Sequence, residues 1–307
     1  MKLPAFEKRW LVVAAALPLL GVALLAAAGR PAHPPAGGGD LPWQCLDFHA
    51  EHLIFKAQTR LCAKKADPAA MIPWLPAKDP HQPALVEAAP GAALFELTVA
   101  ADIVGRKSEE QMFFEPASGR VLQRTKVKLG DDPYRKSYRF GREALEWTRS
   151  APHNRAETAS GENAWTKIEN LSAAYPAGAV CRVYSEPVLL LFLAATHDWQ
   201  AEKKLELCFF ASKHWSRVEA TSSGREAFRA SFERNGQPQE VKEAEVIVLK
   251  AFDASPEAGG DPFELMGLRG DIRIYLEPES GLPLAIRGEM PWVGEVTVHL
   301  EKAEIGS

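Results

Sequence analysis

Apolar and polar residues alternate with a period of two through most of the chain beyond residue 90. The clearest case is a hairpin pattern: Ile272, Ile274 and Leu276 share one face, a turn follows, and Leu284 and Ile286 return on that face. Successive side chains of a β-strand point to opposite faces, so this alternation is typical of half-buried strands. It predicts an antiparallel sheet.

The same reading gives about ten to twelve strands between residues 91 and 307. One of them runs from 121 to 129, with Val121, Gln123 and Thr125 expected on a single side. We expect a mainly β fold, either a large curved antiparallel sheet or an incompletely closed barrel. A β-sandwich of two packed sheets gives the same alternation and stays open as the alternative.

One segment interrupts the β pattern. Ser185, Glu186 and Pro187 precede eight apolar residues at 188–195, rich in leucine and alanine. A serine can cap a helix, a glutamate suits its positive end, and proline is tolerated in its first turn. The segment predicts one short buried helix against a face of the sheet. Its place between strands favours one curved sheet over the sandwich.

The N-terminus carries an export signal. Lys2, Lys8 and Arg9 are followed by 18 uncharged residues, Leu11–Ala28. Such a run is long enough to span a bilayer as a helix, and it also fits the apolar part of a secretory signal. Residues 1–28 are therefore predicted to be a cleaved signal peptide or a signal anchor. Either way the positive end stays in the cytoplasm and the rest is exported.

The remaining chain divides by composition. Residues 29–42 are rich in proline and glycine and predict a linker. Residues 43–90 form a cysteine-bearing and proline-rich strap, and residues 91–307 form the β-rich envelope domain. We expect a periplasmic location, either anchored in the inner membrane through residues 11–28 or secreted across it.

Four cysteines, Cys45, Cys62, Cys181 and Cys208, agree with export. They allow three pairings, of which we expect the two local ones, Cys45–Cys62 and Cys181–Cys208. Bridges over loops of this size typically stabilise a fold by about 3 kcal/mol. No two cysteines have the C-x-x-C spacing of a zinc site, so the pattern favours disulfides over metal binding.

The sequence contains no recognisable catalytic or cofactor motif. His49 and His52 supply only two ligands at a useful spacing, too few for a zinc site. The net charge of -4 is unlike that of a strongly basic nucleic-acid binder. We therefore expect no enzyme activity, no cofactor, no resident metal and no nucleic-acid partner.

Tryptophan is the one residue type that suggests a ligand. Core filling is the ordinary role of these side chains, but a curved sheet with one helix can also line an apolar groove with them. The candidate groove residues are Trp147, Trp165, Trp199, Trp215 and Trp292.

The C-terminal part resembles a known family. Ile274–Leu276, then 282–287 with the letters LPLAIR, then Gly294–Leu300 follow the closing strands of the bacterial domain-of-unknown-function 3108 family. The resemblance covers about residues 91–307. It implies an exported envelope protein without an established activity and a barrel similar to that of lipoprotein carriers. It implies no catalytic residues, and the family pattern has no counterpart of the Cys45–Cys62 segment.

Two functions follow as expectations. The first is a non-enzymatic binder of a lipid, a lipoprotein or another apolar ligand. The second is a membrane-tethered interaction or scaffold protein of the periplasm.

Overall fold

The computed structural model describes residues 41–52, 55–67, 93–103, 105–141, 144–176, 181–211, 214–254 and 263–306. The expected export segment at 1–28, nearly all of the linker at 29–42 and the proline-rich part of the strap lie outside these ranges. Within them, no helix combines the length and the apolar character that a membrane crossing needs.

Strands dominate the described residues. In chain order they are β1 (Cys45–His52), β2 (Phe55–Lys65), β3 (Phe95–Ile103), β4 (Arg106–Glu115), β5 (Arg120–Lys128), β6 (Tyr134–Phe140), β7 (Ala144–Ala151), β8 (Lys167–Ala174), β9 (Tyr184–Ser185), β10 (Lys204–Ala211), β11 (His214–Arg234), β12 (Gln237–Asp253), β13 (Arg269–Leu276), β14 (Pro283–Met290) and β15 (Gly294–Glu304). Thirteen of these strands, β3 to β15, lie between residues 91 and 307, so the expected ten to twelve are slightly too few: β8 and β9 are not among the strands predicted there. β1 and β2 precede this range, in the segment predicted to be a strap.

All fifteen strands belong to one sheet, in the order β8-β7-β6-β5-β4-β3-β2-β1-β15-β14-β13-β12-β11-β10-β9. Neighbours are antiparallel except β9 and β10, which run parallel. The far end of β11 also pairs with β15 through Glu233–Arg234, which closes β11 to β15 into a partial ring. The prediction of a large curved antiparallel sheet or incompletely closed barrel is confirmed.

The sheet curls until its two ends approach each other. Tyr175, just after β8, stacks on Tyr184 of β9 with ring centroids 3.9 Å apart. The indole Nε1 of Trp215 donates a 2.9 Å hydrogen bond to the carbonyl oxygen of Ala174. These side-chain contacts therefore connect the end of β8 to β9 and β11, where the two ends of the sheet approach each other.

Both disulfides join the sequence-local pairs. Cys45 and Cys62 face each other in register across β1 and β2, and Cys181 connects the chain before β9 to Cys208 of β10. Among the described residues no cysteine is free. Two disulfides in one chain are typical of an oxidising compartment outside the cytoplasm.

Two α-helices accompany the sheet in the described part of the chain. α1 (Arg155–Ser160) connects β7 to β8 and is capped by the side chain of Asn154, which accepts from the Glu157 amide. α2 (Leu189–Thr196) is the helix expected from the apolar run, but it begins one turn later than the capping argument predicts. Ser185 does not cap it, because this residue belongs to β9, and its hydroxyl lies buried.

The main core lies on one face of the sheet, here called the inner face. It joins α2 to apolar residues from both halves of the sheet. A bulge opposite Phe113 and Phe114 changes the alternation of β5, so Val121 and Arg124 both point to the inner face. The expectation that Val121 and Gln123 share a side is therefore wrong.

Candidate functional site

α2 is enclosed by the inner face of the sheet. Seven of its eight residues, Leu189–Ala195, are buried, and they are apolar on every side of the helix. A helix without a polar face is stable only where its whole circumference is covered. The curled sheet supplies that cover, so α2 occupies the centre of the fold.

Two hairpin turns close over the C-terminal half of α2. Gly119, in the turn between β4 and β5, lies so near Leu193 that a Cβ added there would be 2.5 Å from a leucine methyl. Gly281, between β13 and β14, lies equally near the carbonyl oxygen of Ala195. Both glycines have positive φ, so the turns need glycine for backbone conformation and for space.

Phe192 fixes the middle of the helix. Its ring meets those of Trp43, Phe95 and Phe114 edge to face, with centroids 5.9, 5.8 and 5.1 Å away. Edge-to-face pairs at such distances add to the energy of area burial. The aromatic contacts leave α2 tightly packed along this stretch.

Charged side chains lie at the other end of α2. Glu186 is 2% exposed and pairs with Nη1 of Arg124 at 2.8 Å. The same guanidinium donates to Oε2 of Glu110 from Nη2 at 2.7 Å and from Nε at 3.0 Å. Lys126 completes the group with its Nζ 2.6 Å from Oε1 of Glu110. We call these four residues the charged cluster.

Strand register explains why the cluster forms. Glu110 of β4 is directly opposite Lys126 of β5, and Arg124 is opposite Tyr138 of β6. Directly opposite residues share one face, so these side chains converge on the inner face. The Arg124 guanidinium lies over the Tyr138 ring, 5.1 Å from its centroid.

The two carboxylates of the cluster differ in pKa. Burial alone would raise the pKa of Glu110, but the charges of Arg124 and Lys126 outweigh it and lower that pKa to about 2. Burial raises the pKa of Glu186 to about 7; Arg124 opposes this shift and the charge of Glu110 adds to it. One guanidinium shared by two carboxylates leaves Glu186 as the group whose charge is poorly compensated.

The pKa values of Arg124 and Tyr138 are both raised. Burial disfavours the charged form of Arg124, yet Glu110 and Glu186 raise its pKa above the usual value. Burial raises the pKa of Tyr138 to about 12. At neutral pH the site therefore contains ionised Glu110, a fixed cation, a neutral tyrosine and a carboxyl group close to its midpoint.

A cavity of about 190 Å³ opens between this cluster and the segment that precedes β13. It is amphipathic: the cluster lies at one wall, and apolar side chains form much of the rest. The apolar lining comes from Val99, Ala101, Ile103, Pro187, Val188 and Met266. An arrangement of this kind suits a small molecule with one polar and one apolar part.

A larger depression, about 430 Å³, crosses β1 to β4 and β15. Its lining includes Asp47, Arg60 and Lys302. These charges already form surface ion pairs, such as Arg60 with Asp47 and with Glu304 at 2.8 Å. Ligand sites are mostly lined by apolar side chains with a few placed polar groups, so the smaller cavity with its apolar walls is the stronger candidate.

The structure does not bring the five candidate groove tryptophans together. Trp147 and Trp215 pack on Phe210 in the main core, with centroids 5.1 and 4.9 Å from its ring. Trp199 is buried in the same core and donates to the carbonyl oxygen of Ala194 at 2.9 Å.

The other two tryptophans lie elsewhere. Trp165 packs beside α1 and donates to the carbonyl oxygen of Glu157, outside the main core cluster. Trp292 is fully exposed in the turn between β14 and β15, with a φ of 70°. An exposed ring in a turn gives no support to a groove role for Trp292, and the groove stays a prediction. The three core tryptophans fill space against neighbouring rings.

Metal-binding geometry is not found among the residues that the structure describes. No three His, Cys, Asp or Glu side chains there are close enough to hold an ion. His49 has His299 of β15 as its aromatic neighbour, with ring centroids 6.2 Å apart.

The chain matches no protein-family model, no curated protein and no solved structure. The resemblance of residues 91–307 to an exported envelope family therefore stays a prediction.

The charged cluster is not predicted by the sequence. Glu110, Arg124 and Lys126 alternate with other residues as the solvated face of a strand does, and the position of Glu186 before the apolar run is typical of a charge at a helix end. The signal that could have found them is the pairing of β4 with β5, which sets opposite charges face to face beside an apolar helix.

Proposed function

We propose that the chain is a non-enzymatic binding protein of the periplasm that holds the apolar part of an amphiphile in the cavity beside α2. Residues 11–28 would either anchor it in the inner membrane or be removed on secretion. The observation that carries the proposal is the cavity of about 190 Å³, with apolar walls and the charged cluster at one side.

The size of the cavity limits the ligand. Sites for drug-sized molecules typically measure about 300–1,000 Å³. The cavity therefore takes a short alkyl segment, and a longer chain requires α2 to move from the inner face. Burial of each methylene group contributes about 0.8 kcal/mol, or roughly a fourfold gain in affinity.

The test is displacement of an apolar fluorophore from the full chain by straight-chain alcohols of increasing length. We expect affinity to rise about fourfold per methylene and then to level off when the cavity is full. Equal affinity for short and long alcohols, or no binding at all, would contradict the proposal.

A matched pair of variants locates the binding site. Ala101 lines the cavity, whereas its neighbour Ala100 is exposed on the other face of β3. Ala101→Leu fills part of the cavity and is expected to shorten the longest alcohol that still gains affinity. Ala100→Leu adds the same atoms outside the cavity and is expected to leave the series unchanged.

β8 favours the second function, an interaction protein of the periplasm. Among the described residues this strand pairs only with β7, and Ile168 and Leu171 are 53% and 38% exposed. A free strand edge can accept an extended peptide as a further strand. A photo-crosslinker at Ile168 should then capture a peptide segment in cells, while one at the exposed Phe252 should not. Equal capture at both positions would refute this function.

A further inference from the structure

Cations line the inner face next to the cavity. Lys126 of β5 is directly opposite Lys136 of β6, and Lys136 is directly opposite Arg149 of β7. Lys128 lies two residues beyond Lys126 and so on the same face. We call these four residues the cation row. Lys126 belongs both to the row and to the cavity lining, which makes the two features continuous.

Three members of the row converge on one aromatic ring. The charged groups of Lys136, Arg149 and Lys128 lie 5.0, 5.5 and 6.0 Å from the ring centroid of Tyr134. A single ring attracts each cation only weakly at a partly exposed site. Like charges at directly opposite positions of a sheet repel each other. The row therefore concentrates positive charge in a chain whose net charge is -4.

Carboxylates lie at both ends of the row. Glu110 pairs with Lys126 at one end, and Glu169 of β8 lies 3.6 Å from Arg149 at the other. Lys128 forms no ion pair with any residue in the part of the chain that the structure describes. Arg149 is 30% exposed and Lys126 29%, so solvent and a ligand can both reach the row.

We propose that the cation row binds the phosphate headgroup of an amphiphile whose alkyl chain enters the cavity. This proposal rests on the proposed function and deepens it by naming the ligand as an anionic amphiphile. Lysines act as point charges for phosphate, and the planar arginine adds directed donors. A phosphate between Lys128, Lys136 and Arg149 relieves their mutual repulsion. From there the alkyl chain of the ligand passes Lys126 and enters the apolar part of the cavity.

The test compares octyl phosphate, octanol and inorganic phosphate as ligands of the full chain, by calorimetric titration at fixed ionic strength. We expect octyl phosphate to bind at least about tenfold more tightly than octanol, since one charge-assisted hydrogen bond already gives that factor. Inorganic phosphate should bind more weakly than octyl phosphate, because it lacks the chain.

Charge variants assign the preference to the row. The double variant Lys128→Gln, Lys136→Gln should lose the preference for octyl phosphate and keep its affinity for octanol. The control Lys242→Gln, Lys250→Gln removes two cations from exposed positions of β12 and should keep the preference. Thermal unfolding of each variant verifies that it is folded.

The outcomes separate the two proposals. Octanol binding without any preference for octyl phosphate overturns the headgroup site and leaves the proposed function standing. A preference that survives in the Lys128, Lys136 variant also overturns it. Inorganic phosphate binding as tightly as octyl phosphate would indicate a site for the free anion and contradict the proposal. Failure of both octanol and octyl phosphate to bind overturns the proposed function itself.

Discussion

Replacing Glu186 by glutamine removes the buried carboxyl group of the charged cluster and keeps its shape. Arg124 stays paired with Glu110, and the new amide oxygen can still accept a hydrogen bond from Nη1. The substitution therefore isolates one quantity, the free energy associated with the proton on Glu186.

The pKa of Glu186 sets the magnitude and the sign. Burial raises it from 4.5 to about 7, and one pKa unit corresponds to about 1.4 kcal/mol. Between pH 4.5 and about pH 7, Glu186 keeps its proton in the folded chain and has lost it in the unfolded chain. Stability therefore falls as pH rises through this window, by up to about 3 kcal/mol. For Glu110 the sign is opposite: its stabilising contribution is lost as pH falls from 4.5 toward 2.

The assay is urea unfolding of wild type and Glu186→Gln at several values between pH 5 and pH 8. We expect the variant to gain up to about 3 kcal/mol relative to wild type across this range. Other groups that titrate here, such as His299, whose pKa burial lowers, are common to both proteins and cancel in the difference. Glu240→Gln, at an exposed position of β12, should follow wild type. A difference between Glu186→Gln and wild type that stays constant with pH would refute the reasoning.

Two further substitutions test the packing of α2, each by urea unfolding. Phe192→Ala removes the ring at the centre of the aromatic contacts and should lower the free energy of unfolding by about 3–5 kcal/mol. The control Phe252→Ala, at a site 40% exposed, should lower it far less. Equal losses of stability would contradict the packing of α2. Gly281→Ala puts a Cβ 2.5 Å from the carbonyl oxygen of Ala195 and should cost more than Gly236→Ala, which has the same sign of φ but open space. A smaller loss at Gly281 would mean that the turn does not close on the helix.

Local alternation was sufficient to predict most of the sheet. β13, β14 and β15 were expected from their apolar periodicity, and β10 and β12 from theirs. The alternation predicts Tyr275 on the side away from the core, but the structure buries it, because Phe228 of β11 stacks on it at 4.3 Å. The partial ring formed by β11 to β15 covers both faces of β13 at Tyr275. The alternation within one strand does not indicate whether its second face is covered.

β1 and β2 were missed although their pattern was present. Leu46, Phe48 and Ala50 alternate on β1, and Ala57 and Leu61 do so on β2, all buried in the core. Cys45 and Cys62 predict a closed loop, but a disulfide by itself does not indicate that the two segments pair as strands. In the structure these strands join β3 to β15 and so connect the two halves of the sheet.

The candidate site depends on long-range pairing. Glu186 meets Arg124 only because β4, β5 and β6 form an inner face and α2 lies across it. The bulge in β5 adds to the difficulty, since it moves Arg124 and Lys126 to the face that strict alternation gives to Gln123 and Thr125. Spacing along the chain contains no signal for either feature.

The most direct test of the central claim is a crystal structure of the complex with 8-bromooctyl phosphate. The bromine marks the end of the alkyl chain through its anomalous scattering. We predict a bromine peak in the cavity among Val99, Ile103 and Met266, with the phosphate beside Lys128 and Lys136. A bromine peak outside the cavity, or a complex in which the cavity stays empty, would contradict the account.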